Sequence, residues 1–255
     1  MKLNKLFPAM LALVLLAPLQ SQTPLRLAAA ADLEPVLPPI LDQFRQSTGI
    51  RVEATYQSSA MLTTQILNGA PFDVFLSADL GYPKRLIDAG LAEGENGAAI
   101  TYAKGTLVLW ARKDSTLPPP GLDLLRSPAL KRLAIANPDR APYGRAAVAA
   151  LTRLNLYEAL KPRLVTADNI AQAAQFADSA NADAGLISLT SAMTPRLAAS
   201  GTYYVIPRDL YPAIEQGAVI VGKTQQRDAA RKLLDYLLSA AVQSQLAKSG
   251  LTPVH

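Results

Sequence analysis

The sequence predicts an α/β protein with two sheets, each a mostly parallel sheet flanked by helices. Two observations carry this. Short apolar runs alternate with helical patterns from Leu25 to the C-terminus, and strand–helix alternation implies parallel strands covered by helices. The strands are also too many for one small sheet in 255 residues, of which half are hydrophobic, enough for a sizeable core.

The elements follow in order. "LRLAAAA" (25–31) is predicted as a strand. Leu37, Ile40, Leu41 and Phe44 recur at helical spacing, and Gly49 stops that helix. "IRVEATY" (50–56) alternates as a strand does, and "AMLTTQILNG" is helical up to Gly69. "FDVFLSA" (72–78) is a buried strand with a helix over "YPKRLIDAG" after it. "GTLVLWAR" (105–112) is a strand, "STLPPPGLD" a Pro-rich loop, "RLAIA" (132–136) a strand and "YGRAAVAALTRL" a helix. "RLVTA" (163–167), "NIAQAAQFADS" and "AGLISL" (184–189) repeat strand, helix, strand. "YYVIP" and "AIEQGAVIVG" are strands, and the chain is helical from about Gln225 to Lys248, with Arg227 and Lys248 on solvent faces. Junctions near "TYAKG" and "DLYPAIEQG" divide the chain into residues 23–104 with 213–255, and residues 105–212.

Residues 1–22 read as a signal peptide. Lys2 and Lys5 precede the apolar "LFPAMLALVLLAPL", too short for a membrane span, with cleavage near Gln20 to Gln22. A periplasmic location follows. The absence of cysteine excludes disulfides, thiolate metal sites, a cysteine nucleophile and a lipidated cysteine. The only histidine is His255, which argues against a Ser-His-Asp triad or a histidine metal cluster. The net charge of +5 includes Lys2 and Lys5, and no basic run points to nucleic acid.

Four strand-to-helix junctions share one character: Ala31-Asp32, "QSSA" (57–60), "NPDRAPYG" (137–144) and "TADNI" (166–170). Each is small or polar, and two belong to each half. Ligands of open α/β sheets sit at such places, where helix N-termini present N–H groups. No GxxxxGK[ST] or GxGxxG is present, so a nucleotide is not expected. A compact anion held by Ser58 and Ser59 hydroxyls and backbone N–H groups fits. Taken singly, each turn reads better as an ordinary helix cap, and the four together shift that balance only modestly toward a ligand.

"AAADL", "YQSSAMLTTQI", "GAPFDVFLSAD", "TYAKGTLVLWARK" and "LAIANPDRAPYGRAAVAAL" resemble the periplasmic molybdate-binding protein family, in consistent order through the chain. The resemblance implies a two-lobed type II periplasmic-binding-protein fold that closes on molybdate or tungstate in the interlobe cleft. It further implies a monomer without catalysis or cofactor, delivering its ligand to the permease of an ABC importer. Position by position it implies an oxyanion shell of Asp32, Ser59, and the backbone N–H groups of Tyr143 and Ile170, with Ala31, Ser58 and Ser188 as further candidates. These would touch the oxygens of molybdate, not the metal. Asp32 stands where the family commonly has serine or asparagine, and Ser188 where some members have a ligand tyrosine.

An ionised carboxylate about 4 Å from another unit negative charge costs roughly 4 kcal/mol at an effective dielectric of 20. Asp32 is therefore expected either to hold a proton and donate, with binding that tightens as pH falls from 8 to 6 and loses that dependence in Asp32→Asn, or to turn its side chain away. In the second case it is an N-cap accepting from Leu33 or Glu34 N–H, with affinity that does not rise sharply over that range; the second is the expectation adopted. Its hydroxyl not being the donor, Tyr143→Phe is expected to change little. Other residues open other readings. Tyr203 and Tyr204 would suit ferric ion if both faced the cleft, although adjacent strand residues point to opposite faces. Sulfate or a phosphonate would suit the same turns. Asp73 and Asp79 would have to serve an exported hydrolase, but read more simply as braces of a turn. Trp110 reads as core, and Arg140 and Arg145 as solvated.

Overall fold

The computed structural model describes residues 23–254; the signal peptide assigned to residues 1–22 lies outside the described residues. Strands are numbered along the chain. The first sheet holds β1 (Leu25–Ala30), β2 (Val52–Gln57), β3 (Val74–Ser77), β4 (Ala92–Glu93), β5 (Ile100–Gly105) and β11 (Ile214–Val221), in the order β2-β1-β3-β11-β4, with β5 also on β11. The second holds β6 (Leu107–Arg112), β7 (Leu133–Ala136), β8 (Leu164–Ala167), β9 (Ala184–Ser188) and β10 (Gly201–Val205), in the order β10-β6-β9-β7-β8.

The helices are α1 (Leu37–Thr48), α2 (Ser59–Leu67), α3 (Gly81–Asp88), α4 (Leu122–Arg126), α5 (Pro142–Arg153), α6 (Tyr157–Leu160), α7 (Ile170–Asp178), α8 (Leu189–Ala192), α9 (Pro195–Ser200), α10 (Arg227–Leu237) and α11 (Ala240–Lys248).

The sheets are mixed, where mostly parallel ones were expected. Parallel pairing is confined to β1 with β2 and β3, and to β7 with β8 and β9. β11 runs antiparallel to β3, β4 and β5, and β6 antiparallel to β9 and β10. A parallel neighbour requires a long crossover, usually a helix. β6 follows β5 after the single residue Thr106, and β11 enters from the other sheet, so neither is introduced by such a crossover.

Period-two alternation splits the first lobe's core. Leu25, Leu27 and Ala29 of β1 pack with α1, α10 and α11, while Ala28 on the opposite face packs with Leu62, Phe75 and Leu86 under α2 and α3. The second lobe has one large cluster around Leu107–Ala111, Leu133–Ala136 and the alanine face of α7. Trp110 is wholly buried there, as expected, and its Nε1 donates to the Leu197 carbonyl at 3.2 Å.

"TYAKG" itself forms most of β5, and the chain passes to the second sheet directly after it, at Thr106. One expectation is corrected. The C-terminal helix is broken at Leu238-Ser239, because the Ser239 hydroxyl caps α11 by accepting from Val242 N–H. No described helix is long and apolar enough to cross a membrane.

Candidate functional site

β1, β2, β7 and β8 end at one place, and the four small or polar turns that follow them meet there. A cavity is lined by Ala30, Ala31, Asp32, Gln57, Ser58, Ser59, Ala78, Ala141, Pro142, Tyr143, Asn169 and Ile170. These residues come from both sheets. The room left for the centre of a water-sized sphere is about 10 Å³, so the occupant must be small. No Lys, Arg or His lines the cavity. Among the described residues no cluster of acidic or histidine side chains could hold a metal ion.

Each donor is placed by a local cause. Ser58 is the N-cap of α2, its Oγ accepting from Met61 N–H, so Ser59 is the first helical residue. Helix geometry leaves first-turn N–H groups without an intrahelical acceptor. Ser59 Oγ accepts from Ala78 N–H at 3.1 Å, which leaves the hydroxyl proton free to donate elsewhere. Asn169 caps α7 by accepting from Gln172 N–H, which makes Ile170 the first residue of that helix.

α5 starts with Pro142 and Tyr143 in its first turn. It sits hard against the end of β7 because residue 144 is glycine. A Cβ there would clash with the Ala136 carbonyl oxygen and lie 2.8 Å from the Asn137 carbonyl carbon.

Asp32 departs from the expectation. It lies inside the 3-10 turn Ala31–Leu33, whose N-cap is Ala30, and its side chain caps nothing. The carboxylate instead accepts from the Tyr143 hydroxyl at 3.1 Å and from Gln216 Nε2, both at Oδ2. Gln216 Oε1 in turn accepts from the Tyr102 hydroxyl at 2.7 Å. All four side chains are buried. The chain of bonds runs from α5 of the second lobe through Asp32 to β11 and β5 of the first. The other carboxylate oxygen, Oδ1, is buried without a partner.

Burial pushes the Asp32 carboxyl up from 3.8 to about 6, against the opposing effect of the bonds from Gln216 and Tyr143. Burial, then the neighbouring Asp32 charge, raises the Tyr143 and Tyr102 phenols well above the usual tyrosine range, so both remain donors. The Tyr143 hydroxyl, expected to be idle, therefore joins the lobes. Gly105 makes room for it: a Cβ there would clash with Tyr143 Oη and approach its Cζ to 2.9 Å.

Further links cross between the lobes, among them Arg208 to the Thr252 hydroxyl at 3.0 Å. Ala60 N–H donates to the Arg140 carbonyl at 3.2 Å. Arg145, expected to be solvated, pairs with Asp79, donates to the Tyr82 hydroxyl at 3.2 Å and stacks over its ring at 5.4 Å. Arg140 is exposed, 3.7 Å from Asp168.

Ser188 is not brought to this cavity. Its Oγ caps α8, donates to Ser191 Oγ and accepts from Thr190 Oγ1, both at 2.9 Å. Tyr203 and Tyr204 lie on β10, opposite Trp110 and Leu109, and do not line the cavity either. Asp73 accepts from Arg26 N–H and the Thr224 hydroxyl at the far end of β3, and Asp79 accepts from Tyr82 N–H at the start of α3. Both are braces. A larger cavity of about 450 Å³ lies at that far end, lined by Arg26, Phe72, Asp73 and Lys223. The strands' carboxyl ends and their helix N-termini are at the other.

Two sheets joined by crossing strands, with helix N-termini from both converging on a cavity between them, define the two-lobed solute-binding proteins of the periplasmic type. The comparisons agree. The model of the family "Bacterial extracellular solute-binding protein" matches residues 25–252. The molybdate-binding protein ModA of Azotobacter vinelandii is 40% identical over 212 residues, covering 83% of each chain. ModA of Rhodobacter capsulatus is 40% identical over 195 residues, 76% of this chain and 74% of that one. The solved periplasmic molybdate-binding protein of Azotobacter vinelandii superposes with a TM-score of 0.84 at 31% identity, covering 91% of this chain and all of that one. The chain belongs to the bacterial extracellular solute-binding proteins and, within them, to the molybdate-binding protein family.

Proposed function

We propose that this protein captures molybdate or tungstate in the cleft between its lobes and hands it to the permease of an ABC importer. The observation that carries this reading is the convergence of four strand-to-helix turns, two from each lobe, on a cavity with no cationic side chain. The assigned donors are the Ser59 hydroxyl and the N–H groups of Tyr143 and Ile170, with Ala31, Asp32 and Ser58 closing the wall. They meet the oxygens of the anion and not the metal. Ser188 is left out of the shell, since its hydroxyl is occupied at α8.

The energetics are adequate. Micromolar affinity corresponds to about 8 kcal/mol, and a hydrogen bond to a charged group contributes roughly 1.5–3 kcal/mol. Several in a closed, dry cleft suffice without Lys or Arg.

The relatives this chain matches are binding proteins, and we read this chain likewise as a carrier and not an enzyme. The lobes are taken as residues 23–104 with 213–255, and residues 105–212. Residues 1–22 act as the signal that sends a monomer to the periplasm, where the family's members work.

Thermal unfolding of the purified protein with molybdate, tungstate and sulfate tests the reading. A ligand that binds only the folded state raises the melting temperature by mass action. We expect a rise with molybdate and tungstate and a smaller one with sulfate. Unchanged melting in excess molybdate and tungstate would overturn it.

A further inference from the structure

A carboxylate and an anion site share one wall in this molecule. Asp32 is completely buried, lines the same cavity as Ser59, Tyr143 and Ile170, and has partners at only one of its two oxygens. A nearby cation would neutralise it, yet none is supplied. From α5 it meets Tyr143, from β11 the uncharged Gln216 and from β5 Tyr102. β2 packs on the Ala31–Leu33 turn and carries Glu53 and Tyr56, the latter raised to about 12 by burial and by Glu34. α7 offers only Asp178, which is tied to Arg196 and Ser200, and α8 has no ionisable residue. The cations these elements carry are engaged elsewhere: Arg145 of α5 pairs with Asp79, Arg153 donates to the Asp209 carbonyl, and Lys104 of β5 lies 3.3 Å from Glu215; none of the three lines the cavity.

A second negative charge brought into such a cavity meets the first with no cationic side chain in the lining to offset it, and like charges at close range disfavour joint ionisation. We propose that anion capture here is proton-coupled: closing on a dianion draws one proton from solvent onto the Asp32 carboxyl, at the oxygen that has no partner. This rests on the reading of the cleft as an oxyanion site and adds to it a role for the carboxylate. No bond other than O–H forms, and the complex holds one proton more than free protein and free anion together.

The sign follows by linkage. In the free protein the carboxyl titrates at about 6. The bound anion moves it higher still. Between the two values binding takes up a proton, and affinity falls as pH rises, approaching tenfold per pH unit. Below about 6 the carboxyl is already protonated, and affinity is flat. The expectation of flat binding from pH 8 to 6 required Asp32 to act as a cap, which it does not.

Calorimetric titration with molybdate, tungstate and sulfate between pH 6 and 8.5, in pairs of buffers with different heats of ionisation, tests this. Near pH 7.5 we expect uptake of close to one proton per anion, with affinity dropping severalfold to tenfold from pH 7 to 8. Asp32→Asn and Asp32→Ser should bind without proton uptake and with affinity independent of pH. Wild-type uptake near zero with flat affinity would overturn the proposal, as would uptake that persists in both variants. If molybdate and tungstate fail while sulfate binds with an Asp32-dependent proton, the ligand reading falls and the proton coupling stands. Binding of none of the three at any pH overturns both.

Discussion

The Ser59 hydroxyl has two partners to serve. Its oxygen holds Ala78 N–H, and its proton is free for the anion. Ser59→Ala should weaken molybdate binding by roughly 1.5–3 kcal/mol, and should lower stability by roughly 1–3 kcal/mol because a buried N–H is orphaned. Calorimetry and urea unfolding of the unliganded protein separate the two effects. Lost stability with full affinity would assign Ser59 to bracing alone. Asp32 makes an opposite prediction. Its carboxyl holds a proton more tightly folded, at about 6 against 3.8, so stability falls as pH rises through that window and stays reduced above it. The cost at pH 8 is about 3 kcal/mol. Asp32→Asn is isosteric and keeps an acceptor for Tyr143 and Gln216. It should stabilise the unliganded protein at pH 8 by up to about 3 kcal/mol and by little at pH 4, as measured in denaturant. A loss of stability at pH 8 would count against a strained carboxylate. The donor turns were legible in the sequence because a helix start has a local signature of small and capping residues; Asn169 before the α7 pattern was such a signal. Gln216 was not legible, because it reads as one more residue of a strand and meets Asp32 across 184 positions.

Between elements, the decisive contact is α5 against β7. Gly144→Ala would force the helix away from Ala136 and Asn137, with overpacking costing typically 1–3 kcal/mol. It would also displace the Tyr143 N–H from the cavity. Affinity should fall by tenfold or more while the fold survives; unchanged affinity would show that α5 can shift without cost to the site. Apolar spacing marked most elements to within a few residues, since strands and helices bury periodic faces. It missed β5, whose short run ends in Lys104 and Gly105 and whose partner β11 is remote in sequence. The break between α10 and α11 was invisible for a different reason. Leu237, Val242 and Leu246 keep helix-like spacing, and all three are buried.

Across the whole molecule, closure depends on links that neither lobe makes alone. The Arg145–Asp79 pair is partly exposed, with side-chain exposures of 44% and 22%, so its worth falls in the surface range of about 0.2–1 kcal/mol. Arg145→Met should speed ligand release by no more than severalfold, with an effect that shrinks in high salt. Stopped-flow displacement at low and high ionic strength measures this; a hundredfold change would mean that the pair is a main latch. The buried Tyr143–Asp32 bond should matter more. Tyr143→Phe removes its donor, and scattering in saturating molybdate should find a larger fraction of open molecules than in wild type.

β11 sets a timetable for folding. The strands of the second sheet are all made by Val205, whereas one edge of β3, and β4 and β5, wait for β11, which begins at Ile214. Pairings between remote segments must first meet the entropy of loop closure, and they form late. During refolding, amides of β6, β7 and β9 should become protected from pulsed hydrogen exchange before those of β4 and β5. Simultaneous protection would contradict this order. Until β11 arrives, a growing chain carries a finished second lobe inserted in an unfinished first one, with the edge of β3 open.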